Sequence, residues 1–96
     1  MSFRITDEMI ETEIKYLSKL MEKRTQKHGR NTMASTHEAY GILMEEVNEV
    51  ADAIHLNSPG DLYAELGDVA VVCIFARACM RFATMNKENA ESKGVE

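Results

Sequence analysis

Two short acidic clusters carry the chemical potential of this sequence: Glu45-Glu46-Val47-Asn48-Glu49 and Glu65-Leu66-Gly67-Asp68. On a helix, a spacing of three sets Glu46 beside Glu49 and Glu65 beside Asp68, so each cluster presents two carboxylates on one face. On a solvated helix such a pair costs only a few tenths of a kcal/mol, and an acidic run is then no more than a wet surface. In a partly desolvated groove, two carboxylates about 5 Å apart repel by roughly 3 kcal/mol at an effective dielectric near 20, and four multiply the cost. Such a group demands cations. All-oxygen ligands suit a hard divalent ion, Mg2+ or Mn2+, which keeps some water and accepts phosphate oxygens. With that ion in place, an acidic groove can hold a triphosphate, polarise its phosphorus and acidify a bound water for attack.

Helices must position these acids. Ile10, Ile14, Leu17 and Met21 recur at spacings of four, three and four, the stripe of an amphipathic first helix over residues 6–28. Thr6 caps it, Asp7 and Glu8 suit its positive end, and Gly29 closes it before a polar connection over residues 30–34. Ser35 and Glu38 form an S-x-x-E capping box that opens a second helix, with Tyr40, Leu43, Val47, Val50 and Ile54 on one face and an end near Leu56. Asn57, Ser58, Pro59 and Gly60 then make a tight turn, and so short a link implies antiparallel neighbours. Pro59 suits the first position of a third helix, capped by Ser58 and running to about Met85.

Counted from the turn, Glu49 lies about nine residues back and Asp68 about nine on, so the two clusters fall at similar heights and face a common space. The third helix carries two seams. One is Leu62, Leu66, Val69, Cys73, Ala76, Met80 and Ala83; the other begins with Glu65 and Asp68 and continues through Val72, Phe75, Cys79 and Phe82. The second seam aims its acids inward, and Ile42 and Ala53 flank Glu46 and Glu49. A helix with two buried faces cannot be covered by one hairpin partner and one further helix without leaving apolar area exposed, so we expect a homo-oligomer, at least a dimer. Gly67, between the carboxylates of the second cluster, is read equally as a point of close approach or as a tolerated helix glycine.

Ninety-six residues make one domain, expected over residues 1–85, with a polar C-terminal tail at 86–96. An apolar share of 45% and a charged share of 28%, with one Pro and five Gly, exclude collagen-like and disordered chains. The fold class expected is all-α: an antiparallel bundle of about three long helices plus a short C-terminal segment, its four-helix-type core completed by oligomerisation. The longest uncharged apolar stretch, residues 69–76, is too short to cross a bilayer, and a basic-then-apolar leader is lacking, so the expected location is cytoplasmic. Cys73 and Cys79 are six apart, about 120° around a helix, so no internal disulfide is expected between them. Sixteen acidic against eleven basic residues give a net charge of −5, the wrong sign for holding a polymeric nucleic acid.

The pattern E-E-V-N-E, fifteen residues, then E-L-G-D resembles the E-x-x-E, spacer, E-x-x-D signature of the MazG-like, all-α nucleoside triphosphate pyrophosphatase superfamily. The stretch H-E-A-Y-G-I-L-M-E-E-V-N-E-V over residues 37–50 also looks like the short, single-domain MazG-like proteins, and the similarity spans residues 35–82. The resemblance implies Mg2+-dependent hydrolysis of a (deoxy)nucleoside triphosphate between its α and β phosphates, with Mn2+ as a second candidate ion. Purine dNTPs, in nucleotide-pool control, are the substrates expected first. By motif position, Glu46, Glu49, Glu65 and Asp68 match the metal-binding acids. Glu45 matches the additional acid of the E-E-x-x-E form, with a role in positioning metal or water. The family assembles as dimers or tetramers in which helices of two subunits build each site.

Less of the nucleotide pocket is legible. His37 and Tyr40 are candidates to stack on or hydrogen-bond a base or sugar, against the plainer readings of a capping-turn histidine and a core-edge tyrosine. Among Arg24, Lys27, His28, Arg30, Arg77 and Arg81, the last two are the first choice for phosphate contacts because they follow the acids on the same helix. Within the superfamily a dUTP- or phosphoribosyl-ATP-directed enzyme is an alternative. A carboxylate-bridged di-iron bundle would need E-x-x-H pairs, which only Asp52-Ala53-Ile54-His55 approaches. A non-enzymatic helical dimerisation module is the reading from another class.

Overall fold

The computed structural model describes residues 3–83. Among them are three helices and no strand: α1 (Asp7–His28), α2 (Thr36–His55) and α3 (Pro59–Phe82). The chain divides into two units between Arg30 and Asn31, so that α1 forms the first and α2 with α3 the second. The expected helix end near Met85 and the polar tail at 86–96 lie outside the described residues.

In the first unit the Thr6 side chain accepts a hydrogen bond from the Met9 N–H at 3.2 Å, satisfying one amide that the helix start leaves over. At the other end Gly29 takes φ 84°, a left-handed conformation open to glycine, and its N–H donates to the Thr25 carbonyl at 2.8 Å. The stripe is buried unevenly: Leu17 and Met21 are half-buried, whereas Ile10 and Ile14 are exposed.

In the second unit the Ser35 hydroxyl accepts from the Glu38 N–H at 3.2 Å, half of the anticipated capping box. The reciprocal bond lands one residue earlier than the motif implies, with the Glu38 carboxylate accepting from the Ala34 N–H. Ser35→Ala should cost about 1 kcal/mol of stability, read as a lower urea midpoint with an unchanged slope. Asn57 turns the chain with φ 54°. Ser58 stands at the N-cap of α3, yet its hydroxyl donates to Asp61 Oδ2 at 2.8 Å and makes no side-chain cap. A cap would have the Ser58 oxygen accept from a backbone N–H, whereas here the hydroxyl gives its proton to the Asp61 carboxylate.

α2 and α3 pack as an antiparallel hairpin. Glu49 meets Glu65 near the turn, and the Met33 N–H donates to the Cys79 Sγ at 3.5 Å near the open end. Met33, which the sequence reading left inside a polar connection, is buried with Val72 and Cys79 in the core, where Ala39, Ile42, Leu43, Phe75 and Ala76 join them. The inward positions repeat every seven residues: Ala39, Glu46 and Ala53 on α2, and Glu65, Val72 and Cys79 on α3.

This phase corrects the face assigned to α2. Tyr40, Val47 and Ile54 are 65%, 39% and 58% exposed, one residue past the inward positions, while small Ala39 and Ala53 face α3. The apolar arc of α2 is wide, so its period does not say which edge faces α3; the alanines allow closer approach and settle it. On α3, Val72, Phe75 and Cys79 face α2, as the second seam requires. Phe82 at its end is 82% exposed, as are Leu66 (52%), Cys73 and Met80 (40%) of the first seam. Val71, the most buried large side chain at 2%, falls on neither seam.

In an antiparallel pair, one step of about 100° past the inward position leads to the same side of the hairpin from either helix. One side therefore carries Tyr40, Val47 and Ile54 with Leu66, Cys73 and Met80. The other carries Glu38, Glu45 and Asp52 with Ala64, Val71 and Ala78.

Candidate metal centre

The seven-residue phase places Glu46 and Glu65 between the helices, and the residues three further on, Glu49 and Asp68, on the neighbouring turn at the acidic side. Each of the four offers a carboxylate oxygen, and these oxygens all lie within 4.8 Å of one another. Glu46, Glu65 and Asp68 are half-buried and Glu49 is exposed, so the group opens to solvent through one member. Both Glu46 Oε2 and Glu65 Oε2 are withdrawn from solvent, and Glu65 Oε2 accepts no hydrogen bond.

The crowding raises the proton affinity of the group. Glu65 is pushed up from the ordinary carboxylate range to about 7, first by the hydrogen bond its protonated form makes with Glu49, then by burial, and then by the charges of Glu49, Asp68 and Glu46.

The donor set fits a hard divalent cation. It is all oxygen, and opposite ligands around Mg2+ stand roughly 4.2 Å apart, so oxygens spread over 4.8 Å need only a small closure to coordinate. No histidine or cysteine joins the cluster among the described residues, which removes the histidines a di-iron bundle would use; His55 is exposed.

The remaining sequence candidates lie outside this group. Glu45 is exposed on the acidic side of α2, about 40° around the helix from Glu49. His37 and Tyr40 are exposed nine and six residues before Glu46, about 13 and 9 Å along the axis. Arg77 is exposed nine residues beyond Asp68, half a revolution around α3 and about 13 Å away. Arg81 is exposed further on, its guanidinium carbon 5.8 Å from the centre of the Phe82 ring. The count from the turn set Glu49 level with Asp68, and its direct meeting with Glu65 was not foreseen.

Residues 35–92 match the MazG nucleotide pyrophosphohydrolase domain, so the match takes in both acidic clusters and the turn between them. The chain belongs to that family. No curated protein and no solved structure matches it. Among the described residues no helix is long and apolar enough to cross a membrane, and Cys73 and Cys79 are free thiols, as their spacing predicts.

Proposed function

We propose that the chain hydrolyses a (deoxy)nucleoside triphosphate to the monophosphate and pyrophosphate, with Mg2+ held by Glu46, Glu49, Glu65 and Asp68. One observation carries the reading: four carboxylates from facing helices converge within 4.8 Å. Such convergence is unfavourable unless positive charge is added. Family membership points to the same chemistry.

Mg2+ bound there supplies Lewis-acid polarisation of the phosphates and acidifies water. The chain's own residues do the rest. Glu46 and Glu65, fixed between the helices, set the position of the anionic end of the substrate. Glu65, whose proton affinity is raised first by its hydrogen bond with Glu49 and then by burial and the neighbouring charges, would have to give up its proton for the site to take a cation. Glu45 and Glu49, on the solvent side, orient the water and take its proton. The α–β anhydride is opened by one water, which adds its oxygen to phosphorus and leaves its proton with a carboxylate or with bulk solvent.

Tyr40 and Arg77 lie about 9 and 13 Å along the helix axes from the acids, away from the turn, and both sit on the side of the hairpin opposite Glu49 and Asp68. We assign them, with His37 and Arg81, to the base, sugar and outer phosphates. Purine dNTPs are the first substrates to try, with dUTP and phosphoribosyl-ATP as alternatives. The active form is a homodimer or homotetramer, residues 1–85 act as one domain in it, and the protein works in the cytoplasm.

The test is a screen of released products across nucleotides, with Mg2+, with Mn2+ and with chelator. Pyrophosphate and the monophosphate should appear in equal amounts and only with the metal. Orthophosphate with a diphosphate would refute cleavage between the α and β phosphates, and no turnover of any nucleotide would refute the reading in favour of a helical dimerisation module.

A further inference from the structure

We propose that residues 31–34 form a strap, fastened by Met33 to the open end of the hairpin, and that this strap detaches while the turn and the acids near it stay closed. The proposal goes beyond the hydrolase reading and does not depend on it.

Short side chains line the open end: Ala39 on α2, with Ala76 and Cys79 on α3. Met33 completes the packing there. It is buried in one cluster with Val72 and Cys79, and Ala39, Ile42, Leu43, Phe75 and Ala76 pack against that cluster. All of these partners belong to the same unit as Met33, so its burial is a property of the hairpin and its leading segment alone. An unbranched thioether suits an irregular gap between small residues, and its loss leaves a void in that end of the core.

Little else holds the strap. Of its four residues only Met33 is buried. The Thr32 hydroxyl donates to the neighbouring Met33 carbonyl at 3.2 Å, and the Ala34 N–H stays with the Glu38 carboxylate at the start of α2. Its hydrogen bond to α3 runs from the Met33 N–H to the Cys79 Sγ at 3.5 Å, and a thiol is a weak acceptor. One side chain and one weak bond therefore make the attachment. Distance separates it from the metal site. Cys79 lies eleven residues beyond Asp68, about 16 Å along α3, with Val72 and Phe75 packed in between. Release of the strap thus loosens the start of α2 and the end of α3, where His37, Tyr40, Arg77 and Arg81 stand, without drawing the acids apart.

Two readouts test this without any measurement of turnover. Alkylation of Cys79 by iodoacetamide, resolved from Cys73 by peptide mass spectrometry, reads the strap, and hydrogen exchange of backbone amides reads where the hairpin opens. Met33→Gln keeps the length of the side chain but puts a polar amide into the core. It should speed alkylation of Cys79 at least about tenfold and lower the protection of residues 36–42 and 76–82, while residues 50–54 and 63–68 change less than about twofold. Met33→Leu, apolar and of similar volume, should stay within about threefold of the wild-type rate. If Cys79 is as slow in Met33→Gln as in wild type, the hairpin covers the thiol unaided and the proposal falls. Equal loss of protection at both ends overturns it as well, since Met33 is then part of one indivisible core. Wild-type protein decides the matter where the glutamine variant does not fold. In urea below the unfolding transition, alkylation of Cys79 should rise with a shallower slope than exchange at residues 63–68, because a detached strap exposes less surface than an opened hairpin. Equal slopes overturn the proposal.

Discussion

Asp68→Asn leaves a folded protein that no longer releases pyrophosphate. The amide keeps the size of the carboxylate and one of its oxygens, but it removes a unit of charge from a set whose function is to balance a divalent ion and a triphosphate. Removing a charged ligand from such a site should lower the rate on the order of 1000-fold, about 4 kcal/mol of transition-state stabilisation. Glu49→Gln should do the same. Neither change should weaken the metal-free fold, because each relieves repulsion among four carboxylates whose oxygens lie within 4.8 Å. The melting temperature without metal should hold or rise by a few degrees, and circular dichroism should show the same helix content. If both variants released pyrophosphate at the wild-type rate, the assignment of these acids would be wrong.

The metal-free protein loses stability as the pH rises from about 4.5 to above 7, and divalent metal restores it. The sign follows from Glu65, whose affinity for its proton is raised in the folded state to about 7 from an ordinary value of 4.5. Between those values the folded chain binds more proton than the unfolded one, so this contribution is complete below about 4.5 and lost as the pH passes through about 7. Binding a divalent ion requires the deprotonated group, so loading the site at pH 6 should release close to one proton, and at pH 8.5 almost none. Free ion at 100 times its dissociation constant adds about 2.7 kcal/mol, which in a chain of this size raises the melting temperature by roughly 10–20 °C. Melting curves at several pH values with and without Mn2+ test the first part. Calorimetry in two buffers of different ionisation heat counts the protons. A metal-free melting temperature that does not change from pH 5 to 8 would contradict the pairing of Glu49 with Glu65.

Local signals made much of this legible beforehand. Thr6, Ser35 and Gly29 announce helix boundaries because their side chains, or the lack of one, satisfy backbone groups within a few residues. The acids could be placed together because a tight turn makes height a matter of counting. What escaped was rotation about the helix axis. α2 is apolar over so wide an arc that Tyr40, Val47 and Ile54 looked like the buried face, and only the fit of Ala39 and Ala53 against α3 shows the one-residue offset. The Ser58 hydroxyl escaped as well: its residue type marks an N-cap, but its proton goes to Asp61 and its oxygen makes no cap bond. The burial of Met33 had no signature in the sequence, because its partners Val72 and Cys79 lie about forty residues further along the chain.

Asn57, with φ 54°, stands in the turn that ties α2 to α3. Were the hairpin to splay, displacement would grow with distance from that turn, and the far end near Thr36 is about 30 Å from it. The four acids sit only about 10–16 Å out. When the open end breathes by a given amount, they move by a third to a half as much, so this short lever arm shields the one place where tolerance is tightest.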